Sequence, residues 1–303
     1  MELSFQKIEL EDKALISSYL EQKMCRSCDL VFPNIYLWSR KYPTKYAVVE
    51  DTLIFQGIGE NGVPSITFPA GGEEQAHKAL DVMFQWFLER QADFRMHLVQ
   101  EKEFELLDAW YPGRLQISYN RDIADYVYET EKLAGLGGKK LHGKRNHVNR
   151  FKENHPNWVY EPITEENVED CFQMALKWRE EMQCEIDVEK RDEMCVTLNA
   201  LRLMEELELK GGLLRAEPQG EVIAFTVGEP LNEDTFVVHI EKAFAQIQGA
   251  YPMINQQFVL HEAQDYKYVN REEDTGSEGL RKAKLSYRPV FLVEKGVVTT
   301  RKQ

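Results

Sequence analysis

The chain has 303 residues, 43% of them hydrophobic, which is enough for a sizeable core in one large domain or two smaller ones. Acidic residues outnumber basic ones by 51 to 37 and give a formal net charge of −14, so contact with nucleic acid or an anionic membrane requires a local basic patch. Five cysteines without framework spacing, no apolar run near the ~20 residues of a spanning helix, and no basic, apolar leader together predict a cytoplasmic protein without a membrane span.

Helices and short strands alternate in the first half of the chain. Apolar residues at helical spacing predict helices over 10–23, 73–90 and 102–110. Strand-like runs, with a turn at Glu50-Asp51, predict strands within 45–58, 65–69 and 94–99. This half is therefore expected to form a mixed α and β domain.

The pair Cys25-x-x-Cys28 has the spacing of a metal-binding or redox motif. A complete zinc site needs further ligands, and neither a second cysteine pair nor a histidine follows nearby. We therefore predict ordinary buried cysteines and no metal site.

One strongly basic segment, 139–152, interrupts the acidic background. Its sequence, KKLHGKRNHVNRFK, contains no acid, and on a helix Lys140 and Lys144 lie near one face. The segment is either a solvated helix face or a grip on the phosphates of a nucleotide cofactor or RNA, through Lys140, Lys144 and Arg145.

The second half continues with two helices, whose N-caps are predicted at Thr164 and Asp187, and with a hairpin that turns at 218–220. The strand TFVVHIEKAF follows, and its His239 and Glu241 point to the same side. Two titratable groups at a strand end suit a general base and proton carrier, whereas an exposed sheet face is the alternative interpretation.

A loop of small and polar residues, 246–251, separates this strand from the next helix. A helix N-terminus after such a loop presents backbone N–H groups to an anion. Beyond that helix, Asn270 and Glu272 share one face of a strand, and a basic helix carries Arg281 and Lys282.

Five segments of the chain have a distinctive sequence: SCDLVFPNIYLWSRKY, GKKLHGKRNHVNRF, VVHIEKA, GAYPMINQQF and YVNREEDTGSEGLRKAKLSYRP. They resemble one bacterial family of unknown function, which groups with the C-terminal domain of phosphatidylglycerol lysyltransferases. The order strand, Gly loop, helix, strand, helix is also similar to the core of the GNAT acyltransferase superfamily.

The resemblance implies an α+β (mixed α/β) fold of two GNAT-like domains in tandem, as in the Fem-type aminoacyltransferases. Each domain is expected to have a central, mostly antiparallel sheet flanked by helices. We place the N-terminal domain at 1–120 and the C-terminal domain, with the expected active site, at 121–303.

The resemblance also implies an acyltransferase that moves an acyl group from a coenzyme A thioester to an amine or hydroxyl acceptor. Glu241 or His239 would deprotonate the nucleophile, and Asn270 belongs to the same expected catalytic set. GNAT proteins hold coenzyme A at a Gln/Arg-x-x-Gly-x-Gly/Ala loop; Gln246-x-x-Gly249 matches its first part, and Tyr251 replaces its last small residue. The expected cofactor contacts are Gln246, Gln248, Gly249, Ala250, Tyr251, Lys140, Lys144, Arg145, Arg281 and Lys282.

Two other functions stay open at this point. An aminoacyl-tRNA-dependent aminoacyltransferase would use the basic segment to bind tRNA. A non-catalytic binding module would keep the fold without the chemistry. The lysyltransferase relatives also carry a membrane-spanning part, and since none is expected here, modification of phosphatidylglycerol is not expected.

Overall fold

The computed structural model describes residues 3–23, 25–59, 62–182, 184 and 187–301. The chain divides into two compact units, the first formed by 1–125 with 293–303 and the second by 126–292. The described residues form two seven-stranded sheets. None of the described helices combines the length and apolarity that crossing a bilayer requires.

The first unit contains the helices and strands that its sequence pattern predicts, together with short elements over 6–7 and 32–38 that were not predicted. They are β1 (Gln6–Lys7), α1 (Lys13–Leu20), α2 (Phe32–Trp38), β2 (Lys45–Val49), β3 (Thr52–Ile58), β4 (Pro64–Ile66), α3 (Glu73–Glu89), β5 (Arg95–Val99), α4 (Glu101–Trp110) and β6 (Leu115–Tyr119). The predicted turn at Glu50-Asp51 is confirmed, and both residues adopt the positive φ that a tight hairpin requires.

The second unit holds most of the remaining elements. They are β7 (Asp125–Glu129), α5 (Thr130–Gly135), α6 (His142–Asn154), β8 (Val159–Pro162), α7 (Val168–Glu181), α8 (Val188–Arg202), β9 (Lys210–Arg215), β10 (Val222–Pro230), β11 (Thr235–Ala243), α9 (Ala250–Glu262), β12 (Tyr268–Asn270), α10 (Glu278–Leu285) and β13 (Phe291–Val293). The predicted cap of α8 is confirmed, because the Asp187 carboxylate accepts the N–H groups of Glu189 and Lys190. The predicted cap at Thr164 is wrong, because α7 begins at Val168 and Asn167 is its N-cap residue. The last strand, β14 (Gly296–Thr300), belongs to the first unit.

Both sheets contain the same strand–helix–strand crossover. In the sheet β1-β2-β3-β4-β5-β14-β6, the strands β4 and β5 are parallel and α3 connects them. In the sheet β13-β7-β12-β11-β10-β9-β8, the strands β11 and β12 are parallel and α9 connects them. The strands flanking each parallel pair are antiparallel to it. The expected α+β fold with a mostly antiparallel sheet in each half is confirmed.

The two crossover helices bury different kinds of residues. Helix α3 follows the amphipathic rule, and its apolar residues Leu80, Met83 and Phe87 lie in the core of the first unit. Helix α9 also buries two amides, Asn255 at 2% exposure and Gln257 at 8%. Since buried amides need hydrogen-bond partners, α9 indicates a polar site inside the second unit.

The motif cysteines have hydrogen-bond partners in the first unit. Cys28 is buried, and its Sγ lies 3.2 Å from Asp125 Oδ1. Cys25 is half-buried, and its Sγ accepts a hydrogen bond from Gln100 Nε2 at 2.7 Å. Burial raises the pKa of the Cys25 thiol, which disfavours the thiolate form that metal binding and redox chemistry need.

Candidate functional site

Strand β11 parts from its parallel neighbour before it ends. The two strands pair only where Thr235–Val237 meets Tyr268–Asn270, and β11 runs on to Ala243. One edge of the later part of β11 is therefore free of β12. Glu241 lies on this stretch, and Arg271 directly follows the end of β12.

A half-buried ion pair joins the two separated strands. Arg271 Nη2 donates to both carboxylate oxygens of Glu241, at 3.0 and 3.1 Å. Asn255 of α9 donates from Nδ2 to Glu241 Oε2 at 3.1 Å. Burial lowers the pKa of Arg271, but the nearby Glu241 carboxylate more than offsets it, so the guanidinium stays charged.

A second cation, Lys144, contacts the same tyrosine ring as Arg271. The Arg271 guanidinium lies 4.8 Å from the centre of the Tyr287 ring, and Lys144 Nζ of α6 lies 4.1 Å from the same centre. Burial raises the pKa of the Tyr287 phenol, so it is neutral at physiological pH. Burial, together with the charge of Arg271, lowers the pKa of Lys144.

The group of Glu241, Asn255, Arg271, Lys144 and Tyr287 is called the central cluster below. Within the described part of the chain, Asn255 Oδ1 and Arg271 Nη1 are buried atoms without a hydrogen-bond partner. Nor does Lys144 form an ion pair with any described acid. Besides the Glu241 carboxylate, the central cluster therefore offers a ligand one acceptor that lacks a donor, Asn255 Oδ1, and two cationic donors, Arg271 Nη1 and Lys144.

His239 lies between two carboxylates on the same side of β11. Its Nδ1 is 2.7 Å from Glu272 Oε1, and its Nε2 is 2.9 Å from Glu229 Oε1. Burial lowers the pKa of His239, but the hydrogen bonds to the two carboxylates outweigh burial and raise it to about 10. At neutral pH His239 is an imidazolium with both nitrogens occupied.

Asn270 shapes the turn that presents this charged group. It is fully buried, and its Oδ1 accepts the backbone N–H of Glu272 at 2.7 Å. The backbone of Glu272 has a φ of 56°, a conformation that favours glycine. The Asn270 amide supports this turn, which carries both Arg271 and Glu272.

The loop at the start of α9 is covered on one side by α6. Gly249 has a φ of 87°, and a side chain there would collide with the backbone carbonyl of His147. The N–H of Ala250 donates to Ile247, and Pro252 has no N–H. This helix N-terminus therefore has fewer free N–H donors than an ordinary one.

The other residues of the loop face different ways. Gln246 donates its side-chain amide to the Glu181 carboxylate at 3.2 and 3.3 Å, and Gln248 is exposed. Burial raises the pKa of Tyr251, whereas hydrogen bonding with Ala243 and Trp178 opposes that rise. Tyr251 is therefore held near the end of β11.

The cations of the basic segment have separate environments. Arg145 braces the loop before its helix by donating from Nη1 to the carbonyl of Leu136 at 2.7 Å. Lys139 and Lys140 are exposed and have no ion pair with a described acid. Lys144 thus belongs to the central cluster, whereas Lys139 and Lys140 are exposed in the turn that directly precedes α6.

Two of the cations of α10 form hydrogen bonds inside the second unit, and one is exposed. Arg281 donates to the buried Asp274 from Nε at 2.9 Å and from Nη2 at 2.8 Å. Lys284 is buried and donates to the backbone carbonyls of Arg271 and Glu273, at 2.6 Å in the first case. Lys282 is exposed.

Arg271, Asn255 and Tyr287 were not singled out from the sequence as site residues. A signal existed for Asn255, an amide between Ile254 and Phe258 on a helix that is buried on most sides. A signal existed also for Arg271, a charge inside the polar run that follows β12. Nothing in the sequence pairs either residue with Glu241, because the contacts cross 14 and 30 residues.

Comparison with solved structures supports the fold over the whole chain. A conserved protein of unknown function from Bacteroides thetaiotaomicron is 36% identical, with a TM-score of 0.91 and coverage of 99% of this chain and 100% of that one. The L-PGS of Bacillus licheniformis is 13% identical, with a TM-score of 0.67 and coverage of 98% and 94%. A GNAT-family acetyltransferase from Colwellia psychrerythraea, 10% identical, covers 99% and 100% at a TM-score of 0.50, so the likeness is one of fold alone.

A curated relative and a family model complete the comparison. The uncharacterised protein MYCGA3080 of Mycoplasmoides gallisepticum is 26% identical over 194 residues, which are 62% of this chain and 60% of that protein. The model of the C-terminal domain of phosphatidylglycerol lysyltransferase matches residues 24–298. The match spans both units, and the chain belongs to the phosphatidylglycerol lysyltransferase C-terminal domain family, with the tandem GNAT-like fold.

Proposed function

We propose that the second unit transfers an acyl group to an amine or hydroxyl acceptor, with Glu241 taking up the acceptor's proton. The position of Glu241 carries this proposal. Glu241 lies on the part of β11 that β12 does not pair with, and its carboxylate accepts from Asn255, whose buried Oδ1 has no hydrogen-bond donor. A nucleophilic N–H or O–H can be held by both groups at once.

The reaction is a substitution at a carbonyl carbon. The acceptor's nitrogen or oxygen forms a bond to that carbon while its proton passes to Glu241, directly or through a water. The bond from carbon to the donor's sulfur or oxygen then breaks, and the leaving group takes up a proton. Backbone N–H groups on the free edge of β11 would stabilise the tetrahedral oxyanion.

In this scheme His239 supports the site without acting as the base. A group with a pKa of about 10 is protonated at neutral pH and has no lone pair to offer. Its role is to neutralise Glu229 and Glu272, which keeps the turn after β12 in place. Asn270, which supports the same turn, is likewise a positioning residue.

The donor we propose first is an aminoacyl ester of tRNA. Two observations favour it: the family of this chain, and the exposed Lys139 and Lys140 in the turn that precedes α6, the helix of Lys144. Unpaired surface lysines on an acidic protein supply the local positive field that binding to phosphates requires. The acceptor of the named family, phosphatidylglycerol, belongs among the acceptors to be tested.

A coenzyme A thioester is the second candidate donor, and the Gln246–Tyr251 loop at the start of α9 favours it. In this version Gln246, Gln248, Gly249, Ala250 and Tyr251 contact the pyrophosphate, as expected from the loop motif. Lys140, Lys144 and Arg145, or Arg281 and Lys282, would hold the remaining phosphates. The missing N–H of Pro252 predicts that such binding is weak.

The donors can be separated by direct transfer assays with the full chain. Radiolabelled acetyl-CoA and radiolabelled aminoacyl-tRNA are each incubated with the protein and with matched amine, alcohol and phosphatidylglycerol acceptors. Transfer from aminoacyl-tRNA, and no calorimetric signal with millimolar coenzyme A, is the expected result. Transfer from acetyl-CoA would select the second donor. Failure of both donors with every acceptor would contradict the transferase and favour a binding module.

A further inference from the structure

The unsatisfied groups of the central cluster have a definite pattern. Asn255 is 2% exposed, and its buried Oδ1 requires a donor. Arg271 Nη1 is buried and requires an acceptor, because Nη2 alone contacts Glu241. A buried polar atom left without a partner costs free energy, so a bound molecule that supplies a donor and an acceptor would be favoured.

The charges of the central cluster indicate that the acceptor atom of the bound molecule carries a negative charge. Lys144 and Arg271 are two cations around the Tyr287 ring, at 4.1 and 4.8 Å from its centre. Glu241 is the one acid that forms an ion pair with this group among the described residues. Two positive charges against one negative charge leave room for one anion, and charge-assisted hydrogen bonds to an anion are the strong ones.

We infer that Lys144 and Arg271 Nη1 form an oxyanion subsite, next to the position where Asn255 Oδ1 and Glu241 hold an N–H or O–H group. The ligand class is an amine or alcohol that also carries a carboxylate or phosphate. This inference rests on the proposed function for the identity of the N–H or O–H group as the nucleophile. The oxyanion belongs either to the acceptor itself or to the nearest phosphate of the donor.

The test measures binding to the full chain by calorimetry, with three simple probes. Ethanolamine supplies the amine alone, inorganic phosphate supplies the oxyanion alone, and phosphoethanolamine supplies both. Phosphoethanolamine is expected to bind at least about tenfold more tightly than either half, since it fills both positions. Equal binding of ethanolamine and phosphoethanolamine would overturn the subsite.

A matched pair of variants assigns the anion to Lys144. Lys144→Gln is expected to weaken the binding of phosphoethanolamine by about tenfold or more, because one charge-assisted contact is lost. The binding of ethanolamine is expected to stay unchanged. Lys152→Gln makes the same change on the same helix, at an exposed residue near Trp158, and is expected to change binding less than twofold. Equal losses in both variants would mean a general effect of charge and would contradict the inference.

Competition then identifies the source of the oxyanion. If saturating coenzyme A or tRNA displaces phosphoethanolamine, the subsite serves a donor phosphate. If phosphoethanolamine binds equally well with the donor present, the subsite serves an anionic acceptor. Both results support an oxyanion subsite. Neither measurement needs turnover, so the subsite can be tested even if the transfer assay fails.

Discussion

Arg271 holds both carboxylate oxygens of Glu241 through one nitrogen, Nη2, at 3.0 and 3.1 Å. The second terminal nitrogen, Nη1, remains buried beside the pair without a protein acceptor among the described residues. A lysine could replace the charge of this contact but not its second nitrogen, because an ammonium is a single point of positive charge. In the proposed subsite, the planar guanidinium would join the Glu241 carboxylate to the anion held at Nη1.

Arg271→Lys therefore tests whether Glu241 needs the planar guanidinium or only a positive charge beside it. We expect turnover to fall by about tenfold to a hundredfold, because Glu241 loses its orientation, while a positive partner remains for the half-buried carboxylate. Steady-state kinetics and the urea unfolding midpoint are both measured. Arg202→Lys is the matched control, since Arg202 also lies over an aromatic ring, Phe172, at 4.8 Å, outside the central cluster. A loss of turnover equal to that of the control would contradict the assigned role.

His239 gives the second unit a stability that depends on pH. Its pKa is raised from 6.5 to about 10 in the folded state, so the folded protein binds a proton more tightly than the unfolded chain. This stabilisation is complete below about pH 6.5 and is lost as pH rises through about 10. We expect the difference in unfolding midpoint between the wild type and His239→Gln to be largest near pH 6 and to shrink steadily towards pH 10. A difference that stays constant across this range would mean that His239 acts through packing alone.

Gly249→Ala tests the close approach of α6 to the start of α9. The new methyl group would meet the His147 carbonyl and lie 2.9 Å from Phe151 Cβ, on a backbone with a φ of 87°. We expect a destabilisation of about 1–3 kcal/mol, measured by thermal or urea unfolding. Gly279→Ala is the control, because a methyl group at this position in α10 meets nothing within 4 Å. It is expected to be neutral or stabilising by up to ~1 kcal/mol. Equal effects of the two changes would show that the contact with α6 is not tight.

The exposed lysines of the basic segment test the tRNA proposal. Reversing both charges with Lys139→Glu and Lys140→Glu removes two phosphate contacts and leaves the central cluster intact. We expect weaker tRNA binding and a drop of about 2 in the slope of log affinity against log salt. Lys210→Glu, an exposed residue at the start of β9, is the control. Binding that is independent of salt, or equally reduced by the control, would contradict the proposal.

Local pattern predicted much of the fold. The helix over 73–90, the turn at Glu50-Asp51 and the cap at Asp187 each depend on neighbouring residues, and each is confirmed. Local pattern could not predict that the last strand, β14, belongs to the sheet of the first unit. Its partners β5 and β6 lie nearly two hundred residues earlier in the sequence. The whole-chain arrangement came instead from the family resemblance, which the family model confirms.

In the candidate site too, local pattern predicted some features and not others. The shared side of His239 and Glu241 follows from the alternation of a strand, and the loop before α9 follows from its composition. The partners of these side chains do not follow from local pattern. His239 contacts Glu229 and Glu272, 10 and 33 residues away, and this surrounding makes it an imidazolium. Arg271 meets Glu241 where β11 runs on beyond its pairing with β12, which local pattern does not show.

The most direct test of the account is the rate of acyl transfer by Glu241→Gln in a single turnover with the donor found to be active. This change keeps the size of the side chain and leaves one oxygen to accept from Arg271, and it removes the base. The account predicts a rate at least about a hundredfold lower, with donor binding and fold preserved. Glu221→Gln, which changes an exposed acid paired with Lys177, should transfer at the wild-type rate. A Glu241→Gln protein that transfers as fast as this control would contradict the central claim.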